Sequence, residues 1–378
     1  VSLWAYYLLS PFNLLFLLIP RSAIAMGVSL LIFLKLVSCT VSFAVLLDVK
    51  FKQRNWTTLL FALSYGFMSY LSANQFNVMW LDALIGLPLI VLGVDALLQK
   101  RNPLYYVLPL SLTILSNYYT GYMICLFLGL YFPYAYLMIN DSFSWKNFIK
   151  QFGRFIFYSV LSVGLIMVIL LPTFYSLLGS KGTATTIAWS LKSEYNPLLM
   201  ASKLFIGSFD FHEMQKGYPN IFVGSLAMFS FLCYFKEKKI ALSQRLYALF
   251  IAIVLLISFN IEMFDKLWHA GQLPNWYSYR FSFLFSFWMV FLGYQWADIC
   301  VFLPCISNKH WFYTLSSRLP TRLANRAWIR ALNGNLVWSH FNRARQKNTS
   351  KIPNFICSDR TALKQHHHLI QTWVCHEF

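Results

Sequence analysis

The first 303 residues read as a succession of apolar runs separated by short polar connections. A helix needs about 20 mostly apolar residues to cross the hydrocarbon core. Nine runs meet or approach that length: Ala23–Leu47, Trp56–Ser72, Val78–Leu98, Pro103–Tyr119, Gly121–Ile139, Phe155–Leu178, Tyr218–Phe235, Leu246–Ile261 and Phe281–Leu303. Ahead of them, Leu3–Ile19 is apolar but interrupted by Pro11 and closed by Pro20. Residues 1–22 are therefore expected to form a short re-entrant or interfacial segment on the outer face, not a span. The pattern predicts an all-α chain, a polytopic transmembrane helical bundle of about nine spans over residues 23–303.

The polar connections give this bundle a direction. Lys50, Lys52 and Arg54, then Lys100 and Arg101, then Lys146, Lys150 and Arg154, then Lys236, Lys238, Lys239 and Arg245 fall in alternate connections. The connections around 72–77 and 118–121 hold no basic residue. Lys and Arg are retained on the cytoplasmic side, so the first run is expected to cross from outside to inside. The two longer connections, Gly179–Gly217 and Glu262–Arg280, then face outward.

Composition agrees with lipid as the main solvent. Hydrophobic residues make up 58% and charged residues 12% of the 378, against about 25% charged in a soluble domain. A net charge of +18 would suggest nucleic acid in a soluble protein, but its distribution along the loops accounts for it, and no nucleic-acid partner is expected. The seven cysteines show no metal-ligand spacing and are read as small apolar residues. No phosphate-binding glycine loop, nucleophile elbow or zinc helix occurs. Residues 304–378 differ in character, with eleven of the 31 Lys and Arg, six of the eight His, and only Asp359 and Glu377 as acids. They are read as a basic cytoplasmic tail on anionic lipid, as disordered, or as an out-of-frame end. The chain opens at Val1 without an initiator Met, and it is expected to be incomplete at both ends.

Ionisable groups in or beside hydrocarbon carry the candidate chemistry, because placing charge there costs several kcal/mol. Asp82 lies in the first half of Val78–Leu98, beside Asn74, Asn77 and Trp80, with no basic residue near it in sequence. It is read either as a carboxylate favoured by the helix N-terminus in the wet headgroup zone or as a group lining an outward cavity. Lys35 falls in mid-span and must pair or reach water inside the bundle; Asp95 and Asp48 are read as interfacial, near Lys100 and Lys50. Asp210, His212 and Glu213 stand close together in the first outer loop, as solvated loop charge or as weak candidates for a divalent metal. Arg280 enters a membrane run behind Trp276, Tyr277 and Tyr279, where an arginine fork is placed to grip a lipid phosphate.

The stretches AYYLLSPFNLLFLLIPRS, FALSYGFMSYLSANQFNVMWLDALIGLPLIVLG, LSNYYTGYMICLFLGLYF, LLPTFYSL and LPNWYSYRFSFLFSF occur in this order. Together, over roughly residues 3 to 297, they resemble the YfhO family of bacterial multi-pass membrane proteins. The WLDALIGLPLI and SNYYTGYM blocks are the more specific. The resemblance implies a GT-C-like fold and a membrane glycosyltransferase in the bacterial cytoplasmic (plasma) membrane. Such an enzyme takes a sugar from a polyprenyl-phosphate carrier and passes it to a cell-envelope glycopolymer acceptor on the outer face. In that type the essential acid lies in the first outer loop, expected upstream of Val1, so no catalytic residue is carried over. The substrate-binding residues expected are Asp82, Arg280, Asn77, Trp80, Tyr119 and Trp276. Two alternatives stand beside the enzyme: a transporter or flippase of lipid-linked sugars, and a non-catalytic gene fragment.

Overall fold

The computed structural model describes residues 4–140, 142–178, 190–209, 213, 217–271, 274 and 276–300. The expected basic tail, 304–378, lies outside them. Helices make up the described structure, and no strand longer than the single bridge Ser193–Ile261 occurs among those residues. A π-helical turn at Trp4–Leu8 and 3-10 turns at Pro11–Leu18 and Arg21–Ala23 lead into α1 (Ile24–Phe51). Then come α2 (Trp56–Gly66), α3 (Ser69–Asn74), α4 (Val78–Leu98), α5 (Leu104–Ser116), α6 (Tyr118–Ile139), α7 (Trp145–Leu165) and α8 (Met167–Leu178). The short α9 (Pro197–Ser202) is followed by α10 (Ser225–Tyr234), α11 (Leu242–Ser258), α12 (Glu262–Trp268) and α13 (Ser282–Cys300).

Three described helices are both long and apolar enough to cross a bilayer: Arg21–Phe51, Val78–Leu98 and Tyr118–Ile139. The pair Trp145–Leu165 and Met167–Ser176, bent by 75°, makes a fourth if it is taken as one span. The expected count of about nine is not reproduced. Several of the other runs are broken or shortened, whereas Ser282–Cys300 is an unbroken helix of 19 residues. The run Trp56–Ser72 divides at Phe67 and Met68 into α2 and α3. The run Tyr218–Phe235 becomes helical only at Ser225, after an extended stretch whose Phe222 carbonyl accepts from Ser69 N at 2.8 Å. Non-helical backbone is tolerated at depth where other protein groups satisfy it, and this bond joins the two breaks.

Helix α4 is the centre of the bundle and packs against α1, α5, α6 and α7. Its sequence is apolar on all sides, which suits a helix with no face left for solvent. Gly93 permits the close approach of α5: a Cβ there would stand 2.5 Å from the Tyr105 carbonyl oxygen and from Tyr106 Cα. Pro88 lies inside α4 and cannot donate to the Leu84 carbonyl one turn earlier. The buried Tyr65 hydroxyl of α2 donates to that oxygen at 2.7 Å. Tyr65→Phe is expected to cost about 1 kcal/mol of stability, since it leaves a buried acceptor unpaired. Unfolding in mixed micelles measures this, and a wild-type midpoint would show that the Leu84 oxygen finds another donor.

Helices α1 and α4 run parallel and are joined by two buried ion pairs. Lys35 Nζ lies 2.7 Å from Asp82 Oδ2, while Lys50 pairs with Asp95. The sequence reading put Asp95 at the interface near Lys100, but it is buried and engaged by Lys50. Tyr131 of α6 completes that end, accepting from Lys50 at 3.2 Å and donating to Asp95 at 3.4 Å. Asp48, by contrast, is bonded by the exposed Arg54 at 2.8 Å.

Candidate functional site

The end of the bundle opposite the Lys50–Asp95 pair gathers most of the candidate residues. Asn117 caps α6, its Oδ1 accepting from Thr120 N at 2.9 Å, which fixes Tyr118 and Tyr119 in the first helical turn. The Asn117 amide donates at 3.3 Å to the Tyr6 carbonyl, and the Tyr6 hydroxyl accepts from Trp80 Nε1 at 2.9 Å. The segment before α1 is thus tied to both α4 and α6. Asn77, at the start of α4, donates to Asn74 Oδ1 at 3.4 Å.

Arg280 occupies the middle of this group. Its guanidinium sits 5.1 Å from the Trp80 ring centre and 5.2 Å from that of Tyr119. Nη2 donates to the Trp276 carbonyl at 2.9 Å and Nε to the Tyr277 carbonyl at 3.3 Å. The Tyr277 ring meets Trp80 edge-on at 5.3 Å. Among the described residues Arg280 makes no ion pair; the acids nearby are engaged elsewhere. Aromatic faces stabilise a guanidinium by about 0.5–2 kcal/mol each without neutralising it. What remains is a half-buried cation in an aromatic clamp, with donors free for an anion.

The backbone of this turn is strained. Tyr277 and Tyr279 both have φ of 56°, in the left-handed region that residues with a Cβ seldom adopt. Such conformations cost about 1–3 kcal/mol and persist where surrounding contacts impose them. Tyr279 is held by its hydroxyl, which donates to the Glu194 carboxylate. Burial holds the Glu194 carboxyl above the ordinary glutamate range, an effect the Tyr279 hydrogen bond opposes.

Beside Arg280, Tyr70, Asn74, Glu213, Asn220 and Tyr277 help enclose a polar space of about 20 Å³, enough for a water-sized group and not a sugar ring. The Tyr70 hydroxyl and Asn220 Oδ1 are buried and unpaired among the described residues. Glu213 is bonded by Lys203. Asp210 and His212 lie outside the described residues, and no group of three or more metal-ligating side chains occurs among those described.

Asp82 stands apart from this clamp. Trp80 and Asp82 are two positions apart, roughly 200° around the helix, so they face different neighbours. Asp82 Oδ1 accepts from Ser10 Oγ at 3.0 Å and Oδ2 from Lys35. Lys35 also donates to Ser10 Oγ at 3.1 Å and to the Val78 carbonyl at 2.8 Å, so all its donors are used. Asp82 nonetheless forms part of the wall of an apolar cleft of about 200 Å³, otherwise lined by residues such as Phe12, Ile85, Leu89, Leu108 and Leu112. The structure therefore brings together Arg280, Trp80, Tyr119, Trp276 and, through Asn74, Asn77. The partners that sequence reading missed are Tyr6, Tyr70 and Glu194. The only signal for the two tyrosines was a general richness in that residue, which also marks any membrane interface, and Glu194 gave none beyond ordinary loop charge.

A family model described as "Bacterial membrane protein YfhO" matches residues 1–316. The uncharacterized protein YfhO of Bacillus subtilis (strain 168) is 28% identical over 99 residues, which is 26% of this chain and 11% of that protein's length. The chain thus matches only a small part of that relative. No solved structure matches.

Proposed function

The chain belongs to the YfhO family of bacterial membrane proteins, and from that premise we propose that it is a membrane glycosyltransferase-like protein that transfers a sugar from a polyprenyl-phosphate carrier to a cell-envelope acceptor on the outer face. The observation that carries this reading is the Arg280 clamp. A cation held between Trp80 and Tyr119, with no acidic partner among the described residues, is suited to an anionic group brought in by a lipid. Guanidinium matches phosphate geometry with paired N–H donors and is weakly hydrated, so it tolerates the interface better than lysine does. During transfer the phosphate is the leaving group, and a fixed cation beside it stabilises the charge that develops as the glycosidic bond breaks. The apolar cleft along α4 and α5 offers hydrocarbon surface of the kind a prenyl tail needs. The location that goes with this reading is the bacterial cytoplasmic membrane, with the Arg280 end outward as the distribution of Lys and Arg indicates.

The test is reconstitution of the full-length protein in vesicles with a panel of polyprenyl-phosphate-linked hexoses and isolated cell envelopes. Label appearing in the envelope material is the expected outcome. Carrier that changes leaflet with its sugar still attached would instead make the protein a flippase.

A further inference from the structure

Three irregular stretches of backbone meet beside Arg280. The first is the break between α2 and α3, the second the extended segment 217–224 before α10, and the third the strained turn that carries Tyr277 and Tyr279. The bond from Ser69 N to the Phe222 carbonyl ties the first to the second. Non-helical backbone within apolar runs is retained where it is buried in protein or lines a polar cavity. Here it lines one. The polar space of about 20 Å³ takes Tyr70 from α3, Asn220 from the extended segment, and Tyr277 and Arg280 from the turn. This space is partly open, and Asn220, Tyr277, Ser278 and Arg280 beside it are half-exposed, so a small group can enter.

Two walls of the space hold polar atoms without partners. Tyr70 is 2% exposed, its ring is set against Phe283 at 5.5 Å, and its hydroxyl makes no hydrogen bond among the described residues. That hydroxyl lies within electrostatic reach of Arg280, Tyr119 and Tyr6, which places it on the side of the clamp. Asn220 Oδ1 is likewise buried and unpaired among the described residues. Leaving such atoms unmet is costly, and Phe or Leu would fill the same places without that cost. Together they offer one donor and one acceptor across room for a single small group. The charges around them narrow what that group is. A phosphate oxygen would accept from Tyr70 but face Asn220 Oδ1 and the Glu213 carboxylate, whereas a cation would face the Arg280 guanidinium. A neutral hydroxyl meets both needs, accepting from Tyr70 and donating to Asn220.

We propose that this space is the seat of one hydroxyl of the carrier-linked sugar, and that Tyr70 and Asn220 are specificity-determining residues of the site. This rests on the reading of Arg280 as the holder of the carrier phosphate. A sugar bonded to that phosphate keeps its hydroxyls near Arg280, which forms one wall of the space. The volume admits a hydroxyl but no ring, so the sugar lies across the mouth with one hydroxyl pointing in. A site built to bond a substrate hydroxyl rejects the analogue that lacks it, because its own buried polar groups are then left unpaired.

The experiment measures binding of short polyprenyl-phosphate-linked hexoses to the reconstituted full-length protein, then of the monodeoxy analogues of the tightest binder. Removal of one particular hydroxyl is expected to weaken wild-type binding by roughly 10–10³-fold, because it strands both Tyr70 and Asn220. The other deoxy positions should change it less. Tyr70→Phe is expected to lower affinity for the parent hexose about tenfold and to remove most of the discrimination at that same position, since both changes delete one contact. Asn220→Leu should do the same from the acceptor side; should it fail to fold, Tyr70→Phe decides alone. The hydroxyl lost in Tyr70→Phe has no partner in the protein, so the thermal midpoint should not fall.

A deoxy series that binds the wild type and Tyr70→Phe in the same pattern would overturn the proposal, leaving a space that holds only a water. So would a Tyr70→Phe variant that binds donors like the wild type yet transfers more slowly, which gives the space to the acceptor. Transfer measured in parallel keeps the two readings apart. Position-specific binding without transfer upholds the hydroxyl seat and removes the enzyme, whereas transfer with a flat deoxy series does the reverse. Failure of every hexose to bind would overturn both.

Discussion

Asp82→Asn is expected to destabilise the folded bundle by about 3–5 kcal/mol, because it strands the Lys35 ammonium among apolar helices without a counter-charge. The magnitude decides what kind of contact this is. An interhelical hydrogen bond in a membrane protein averages about 0.6 kcal/mol, so a loss of that size would mean that the Asp82 carboxylate matters only as an acceptor. The larger figure follows from geometry: Lys35 is fully buried, and its donors are all directed at Asp82, Ser10 and the Val78 carbonyl. Removing both charges, in Lys35→Met with Asp82→Leu, should recover most of the loss, since a buried ion pair is often replaceable by apolar side chains of similar volume. Unfolding in sodium dodecyl sulfate measures all three variants. The double variant also tests the role in substrate binding that the sequence suggested for Asp82. If it is stable and still transfers sugar, Asp82 is a latch between α1, α4 and the segment before α1. If it is stable and inactive, the carboxylate is needed at the cleft.

Arg280→Ala should weaken binding of a short polyprenyl phosphate by roughly 10–100-fold, the worth of one or two charge-assisted hydrogen bonds. Its effect on stability should be smaller, about 1–2 kcal/mol from the two aromatic contacts. Arg280→Lys keeps the charge but loses the planar fork and the stacking on Trp80 and Tyr119, so it should fall between alanine and the wild type. Equal affinity in Arg280→Ala would remove the clamp from carrier recognition. A fall in stability that matched the fall in binding would make Arg280 structural. The comparison is sharp because its hydrogen bonds within the protein go to the carbonyls of Trp276 and Tyr277 and to no acid among the described residues.

Much of the site's composition could be read from the sequence, although its arrangement could not. Arg280 attracted notice because an arginine behind WYSY at the mouth of an apolar run is costly unless it binds something. Trp80 and Asp82 looked like members of one site because they are near neighbours in the chain, but a helix turns them to different faces. The burial of Asp265 and His269 in the connection before α13 gave no sequence signal beyond ordinary loop polarity, because burial in a connecting segment depends on what packs over it.

The sequence alone determined that this is a helical membrane chain, because hydropathy and the need to satisfy every backbone group inside lipid leave few other choices. It also determined the family, through blocks such as WLDALIGLPLI and SNYYTGYM. Only the tertiary structure decided where apolar runs stop being helix: the breaks at Phe67 and before Ser225 are joined by a hydrogen bond between segments more than 150 residues apart. It alone decided that Lys35 belongs to Asp82 and Lys50 to Asp95, pairs separated by 47 and 45 residues. The physical reason is range: hydropathy and periodicity are local sums along the chain, whereas a buried charge is stabilised by whichever opposite charge packing brings within about 3 Å, and that partner leaves no mark in its neighbours' sequence.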